Sequence, residues 1–197
     1  IEFLRELPPV ERDERRPQSR GGTTQQVRLE EHDGRFSLML QPLKQPYRAK
    51  EGEPLVYPGR TIRQAVRWER LPVAAISWDD AIAYTAWLAR TGRVHGARLC
   101  SSREWERAAR GADGRAYPHG ETLAPSDANF DATYARNQLA FGPDEVGSFP
   151  MSDSPFAVSD LAGNVWEWVQ AERGTPYAKG GSWYQAPNSA LSTNRNV

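Results

Sequence analysis

The sequence predicts an α+β fold, and three observations carry that prediction. Segments opening at Ser77 and Ser101 read as capped helices, and an alternating stretch between Gln26 and Leu40 reads as a hairpin. Everything after Gly111 is rich in turns and aromatic residues. A chain of 197 residues has the length of one domain, with room for an arm.

The arm comes first. Glu11-Arg12-Asp13-Glu14-Arg15-Arg16-Pro17 is almost entirely charged, and Gly21-Gly22-Thr23-Thr24 follows it. Too little apolar surface is present to offset the entropy of ordering, so residues 1–25 are expected to be a charged arm or linker and residues 26–197 the folded domain. Gln26 to Leu29 and Gly34 to Leu40 alternate apolar and polar side chains, with Gly34 marking the turn. Residues 44–70, punctuated by Pro46, Pro54, Pro58 and Gly59, read as loop with at most a short strand.

Ser77 with Asp80 three residues on forms a capping box, and Ala81, Tyr84 and Leu88 make the apolar face, with Trp87 beside it, until Thr91-Gly92. Ser101 and Glu104 repeat the box, Trp105, Ala108 and Ala109 supply the stripe, and Gly111 closes the helix. Asp113-Gly114, Pro118-His119-Gly120, Gly142-Pro143-Asp144 and Ser154-Pro155 are turns, and short strands are expected at Trp166–Val169 and Gly181–Tyr184.

Composition excludes several classes. The 25 basic residues, 22 of them Arg, are balanced by 25 acidic ones, whereas a nucleic-acid binder shows a basic excess. Hydrophobic residues make up only 39%, but seven Trp, seven Tyr and six Phe supply large areas to bury. Cys100 is the one cysteine, so no intrachain disulfide and no two-cysteine site can form; a cytoplasmic location fits this better than secretion, with cell-surface display left open. No apolar run approaches the roughly 18 residues of a membrane span, and no signal peptide is visible. The chain starts at Ile1 and stops at Val197 in mid-pattern, so a longer protein is expected.

Several blocks then fall into a recognisable order. Pro72 to Ala81 is followed by Arg98-Leu99-Cys100-Ser101-Ser102-Arg103-Glu104-Trp105-Glu106-Arg107-Ala108-Ala109-Arg110-Gly111, then Tyr117-Pro118-His119-Gly120 and Ala128-Asn129. Val146-Gly147-Ser148-Phe149-Pro150, Asp160 to Trp168 and Gly180-Gly181-Ser182-Trp183 complete the set. This resembles the formylglycine-generating enzyme and sulfatase-modifying factor family, closely over residues 72–184. The resemblance implies a C-type lectin-like fold of the formylglycine-generating-enzyme type: two helices, small twisted antiparallel sheets and much irregular loop. It also implies a C-terminal strand that lies beyond the given residues.

The family's enzymes use two cysteines just past the Gly-Gly-Ser-aromatic motif, and the positions here are Gln185 and Ala190. Formylglycine generation and its copper are therefore not expected. Cys100, just before the second helix, is expected to pack. Iron is not expected either, because His32, His95 and His119 stand at no ligand spacing, and His119 reads as a lone turn histidine. One structural calcium is implied by position, with carboxylates from Asp160 and Glu167 and carbonyls from Gly163 and Val165, a hard-cation donor set. Asn129 and Phe130 mark a weaker second position. Trp78, Trp87, Trp105 and Trp166 are expected in the core, and Trp183 is expected to be structural.

The resemblance thus implies a non-catalytic domain that recognises a protein or small-molecule ligand. It is like domains fused behind bacterial serine/threonine kinases, with a kinase or effector upstream, or like the variable proteins of diversity-generating retroelements. The expected ligand surface is Tyr184, Gln185, Asn188, Ser189, Asn194 and Asn196, side chains suited to an adaptable polar paratope. The alternative is an enzyme of altered, cysteine-independent chemistry using Ser182, Tyr184 or Gln185, and it lacks an evident activating base.

Overall fold

In the computed structural model, which describes residues 1–20 and 26–196, the alternating stretch forms the expected hairpin. β1 (Gln26–His32) pairs antiparallel with β2 (Arg35–Gln41). Asp33 and Gly34 turn between them at φ 51° and 75°, two successive positive values that suit the twist of a tight hairpin. Leu29, Phe36, Met39 and Leu40 are buried. The polar stretch that follows holds more strand than its prolines suggest, because β3 (Tyr47–Lys50) adds to β2 and buries Tyr47 and Ala49. β4 (Leu55–Val56) is a two-residue strand.

The chain forms two compact units, Ile1–Val56 with Val73–Leu99, and Tyr57–Pro72 with Cys100–Val197. The first contains the hairpin sheet and three helices. α1 (Glu2–Glu6) and α2 (Pro9–Arg15) lie in the stretch read as arm, and α3 (Trp78–Arg90) is the first capped helix. In α3 the box is complete: Asp80 N–H donates to Ser77 Oγ at 3.1 Å, and Ser77 N–H to Asp80 Oδ2 at 2.9 Å. The arm is ordered by aromatic contact. Phe3 lies 5.6 Å from both Tyr84 and Trp87, ring centre to ring centre, and Leu4 is buried. The Trp87 indole N–H donates to Glu6 Oε2 at 2.6 Å. Pro9 at a helix start and Glu11 paired with Arg15 four residues on explain α2.

In the second unit, β5 (Ala65–Val66) precedes α4 (Ser102–Arg110), whose Ser101–Glu104 box is also complete and which ends at Gly111 with φ 65°. Trp105 and Ala109 pack with Leu161 and Val169. A second cluster joins Tyr117, Ala128, Phe130, Ala162 and Ala190. β6 (Glu167–Glu172) pairs antiparallel with β7 (Thr175–Lys179).

Three expectations are corrected. Among the described residues there are four α-helices where two were expected, and the sheets have only two or three strands, none closed into a barrel. The α+β class stands, but the C-type lectin-like architecture does not: strands of two to seven residues are too short and too few to close, and α1 and α2 are additional. No strand covers Gly181–Tyr184, because Gly180 and Gly181 take φ of 91° and 79°, which breaks extended backbone just after β7. Cys100 is exposed instead of packed: it precedes the cap Ser101, outside the apolar stripe of α4.

No helix among the described residues is long and apolar enough to cross a membrane.

Candidate functional site

The second unit is organised around a charge. Arg60 and Asp144 have side chains fully shielded from solvent, and Arg60 Nη1 donates to Asp144 Oδ1 at 2.7 Å. Arg60 also donates to the carbonyls of Ala140 (2.8 Å) and Gly142 (2.7 Å), so the guanidinium pins a loop as well as a carboxylate. Its plane is flanked by Tyr57 and Tyr134, whose ring centres lie 3.7 and 4.1 Å away. Tyr134 Oη donates to both Asp144 oxygens at 2.9 Å. Burial, with the Asp144 charge adding, pushes the Tyr134 hydroxyl up to about 12, so it remains a donor at neutral pH. Burial also pushes the Asp144 carboxyl up, opposed by Arg60 and the Tyr134 hydroxyl.

Asn164 extends this network. Its Oδ1 accepts from Asp144 N–H at 2.9 Å and its Nδ2 donates to Asp144 O at 3.2 Å. Its own N–H donates to Asn129 O at 2.7 Å, and its carbonyl accepts from Trp183 N–H at 3.0 Å. Asp160, Gly163 and Asn164 all have positive φ, of 62°, 74° and 62°. The left-handed turn thus links the Arg60–Asp144 pair to the residue before the expected ligand surface.

That surface begins on a packed base. Trp183 lies 5.8 Å from Phe141 and 5.0 Å from Tyr184, ring centre to ring centre. Ser182 is buried and its hydroxyl donates to Gln185 Oε1 at 3.3 Å; an amide is no base, so this arrangement does not activate the hydroxyl. A 3-10 turn, Pro187–Ala190, follows. The far side is held from β7: the buried Lys179 Nζ donates to Asn194 O at 3.1 Å, and Ala178 and Asn196 exchange backbone bonds of 2.9 and 2.8 Å. Between the two sides lies a groove of about 400 Å³, lined by Trp166, Gln185, Asn188, Ser189, Leu191, Asn194, Arg195 and Asn196.

Five of the six expected surface residues therefore come together on one groove. Tyr184 does not line it and rests against Trp183. Trp166, expected in the core, is half-buried and forms part of the wall, because β6 begins only at Glu167. Trp87, Trp105 and Trp183 are buried and Trp78 is half-buried. His119 is not alone in its turn: its Nε2 lies 3.2 Å from Asp127 Oδ2.

Residues 46–197 match the sulfatase-modifying factor enzyme 1-like domain. The chain belongs to this family. It is 32% identical over 151 residues to the inactive C-alpha-formylglycine-generating enzyme 2 of Bos taurus, covering 71% of this chain and 46% of that protein. It is 29% identical over 141 residues to the serine/threonine-protein kinase Pkn1 of Chlamydia trachomatis, covering 71% of this chain and 19% of the kinase. The chain thus spans about half the length of the first of these relatives and a smaller part of the second. The solved structure of Treponema denticola variable protein 1 is similar in fold, with a TM-score of 0.55 at 16% identity over 86% of this chain and 92% of that one.

Within this sulfatase-modifying factor family member, the two positions matching the enzymes' thiols hold Gln185, on the groove, and Ala190, fully buried in an apolar cluster. The single thiol, Cys100, has no cysteine partner, so the paired-thiol chemistry of formylglycine generation is absent.

The residues carried over for calcium lie on one segment. Asp160 Oδ2 accepts from Gly147 N–H at 2.7 Å, and Glu167 Oε2 from the Trp105 indole N–H at 2.6 Å. Burial pushes the Glu167 carboxyl up to about 7 against the pull of Trp105, and the neighbouring Asp160 charge adds to the rise. Two desolvated, mutually repelling carboxylates suit a hard cation. Among the described residues, however, no three His, Cys, Asp or Glu side chains gather into a ligating group, so carbonyls and water would have to complete the shell. At the second position the Asn129 carbonyl accepts from Asn164 N–H, and Phe130 is buried.

Sequence reasoning missed the Arg60–Asp144 pair. Its only sequence trace is the Gly142-Pro143-Asp144 turn, with nothing to name a partner 84 residues away.

Proposed function

We propose that this domain recognises a ligand, without catalysis, through the groove bordered by residues 185–196. The observation that carries this reading is the replacement at the groove itself: an amide, Gln185, stands at one thiol position beside the further amides Asn188, Asn194 and Asn196. Amide side chains donate and accept, and so adapt to many partners. Two settings fit. The likeness to Pkn1 supports a domain serving a serine/threonine kinase, and the fold likeness to a variable protein supports the diversified product of a retroelement.

Sequencing the intact gene with its flanks, from the source and sister isolates, tests the proposal. A kinase frame running into Ile1, or substitutions concentrated in residues 184–196 beside a template repeat and a reverse transcriptase, is the expected result. Flanks with neither feature, and variation spread evenly over the domain, would contradict it.

We further propose that Asp160 and Glu167, with the carbonyls of Gly163 and Val165, hold a calcium ion. Millimolar calcium chloride is expected to raise the melting temperature and excess chelator to reverse the rise, because a ligand bound only by the folded state stabilises it. A melting temperature indifferent to both would remove calcium from the account.

A further inference from the structure

We infer that the outer face of α4 and the loop beside it form a second recognition surface, for a segment of another protein that carries two carboxylates near an apolar side chain. None of its residues lines the groove. Arg103 and Arg107 stand one helical turn apart on the exposed side of α4, turned away from the buried Trp105 and Ala109. Neither guanidinium has an ion-pair partner among the described residues, whereas Arg110, the third arginine of the row, is held by Glu106 at 3.0 Å. The Arg107 guanidinium carbon lies 5.8 Å from the centre of the Phe156 ring.

Phe156 is 55% exposed, yet the loop that carries it is tied down. The buried Ser154 ties it: its Oγ accepts from the N–H groups of Phe156 and Val158, both at 3.3 Å. Its own N–H donates to Val158 O at 3.0 Å, and its carbonyl accepts from Ala157 N–H at 2.8 Å. Ala157 closes the turn at φ 56°, a left-handed conformation that is costly for an L-residue. The loop also leans on the end of α4, where a Cβ on Gly111 would meet Pro155 Cγ at 3.3 Å. An exposed aromatic ring on a fixed backbone loses little freedom on binding, as an anchor at a protein interface requires.

Charge decides the occupant. Side chains four apart on a helix start about 5–6 Å from each other, so carboxylates one helical turn apart, or two residues apart on a strand, reach both arginines. Each guanidinium can take a carboxylate through two parallel N–H bonds, while an apolar side chain between them packs on Phe156. A nucleic acid would need more than two cations, in a chain whose 25 basic residues are matched by 25 acidic ones. A lipid surface likewise takes a polybasic cluster or an inserted chain to hold a protein.

The test is a subtractive selection. A randomised heptapeptide library displayed on phage is depleted on the double variant Arg103→Gln/Arg107→Gln and then selected on the full chain. Melting temperatures equal to the parent's check that this variant and Phe156→Ser fold, as surface changes should. The surviving peptides are expected to carry two acidic residues within four positions and an apolar one. Synthesised and capped, the commonest of them is expected to bind the parent about tenfold tighter than either variant, and more weakly as salt is raised. No survivors, survivors without acidic residues, or equal binding to Phe156→Ser would each overturn the inference. Retention of the parent but not the variants on phosphatidylserine vesicles would overturn it in favour of a membrane. Self-association of the parent that both variants abolish would overturn it in favour of a second copy of the chain. The surface shares no residue with the groove, so its failure leaves the proposal for residues 185–196 to its own test.

Discussion

Arg60→Ala is expected to destabilise the protein by about 3–5 kcal/mol, because it leaves the buried Asp144 charge without its cation. The loss extends beyond one ion pair. The carbonyls of Ala140 and Gly142 lose their guanidinium donors, and the space between Tyr57 and Tyr134 is left unfilled. Arg60→Lys keeps the charge but cannot reproduce the fork, so it is expected to lose roughly 1–3 kcal/mol. Urea denaturation followed by circular dichroism measures both. A change below about 1 kcal/mol for Arg60→Ala would show that the pair is not what holds the 140–144 loop.

Gly163→Ala is expected to cost about 3 kcal/mol, from a left-handed backbone that disfavours a side chain and from a collision that cannot be relieved by a rotamer change. A Cβ at residue 163 would sit 2.2 Å from the Asn129 carbonyl oxygen and 2.9 Å from its carbon, both of them backbone. Moving that strand of chain apart would break the bond from Asn164 N–H to Asn129 O and loosen the hold of Asn164 on residue 144. Gly34→Ala is the control. Its φ of 75° matches that of Gly163, but a Cβ there meets nothing within 4 Å, so only the conformational cost of about 1 kcal/mol applies. Equal losses for the two variants would show that the contact with Asn129 is unimportant.

These two sites also show where the sequence is silent. Both capped helices are legible because a capping box is local: Ser77 with Asp80 and Ser101 with Glu104 act within one turn. The hairpin is legible for the same reason, through the turn at Gly34. The arm is not, since its order depends on Phe3 meeting Tyr84 and Trp87 far along the chain, and composition weighs only its charge. The Gly180-Gly181 pair misleads in the other direction: Gly-Gly-Ser-Trp is easily taken for a strand until the two positive φ values are known. The groove follows from resemblance and not from pattern, so Trp166 and Arg195 stand outside the six side chains that the resemblance singles out. The buried pair behind it joins a loop arginine to a turn aspartate, two residues with no periodicity to mark them.

The second unit divides its labour. A buried polar frame through Arg60, Asp144, Asn129 and Asn164 holds the fold, and the lip from Gln185 to Asn196 is left to meet a ligand. One pair of melting curves compares the same substitution in each part. Asn164→Ala orphans the N–H and C=O of Asp144 and is expected to cost roughly 2–4 kcal/mol. Asn188→Ala removes an exposed groove side chain and is expected to stay within about 0.5 kcal/mol of the parent. Comparable losses from the two variants would mean that frame and lip are not separable, and would contradict the claim that the lip is built for recognition.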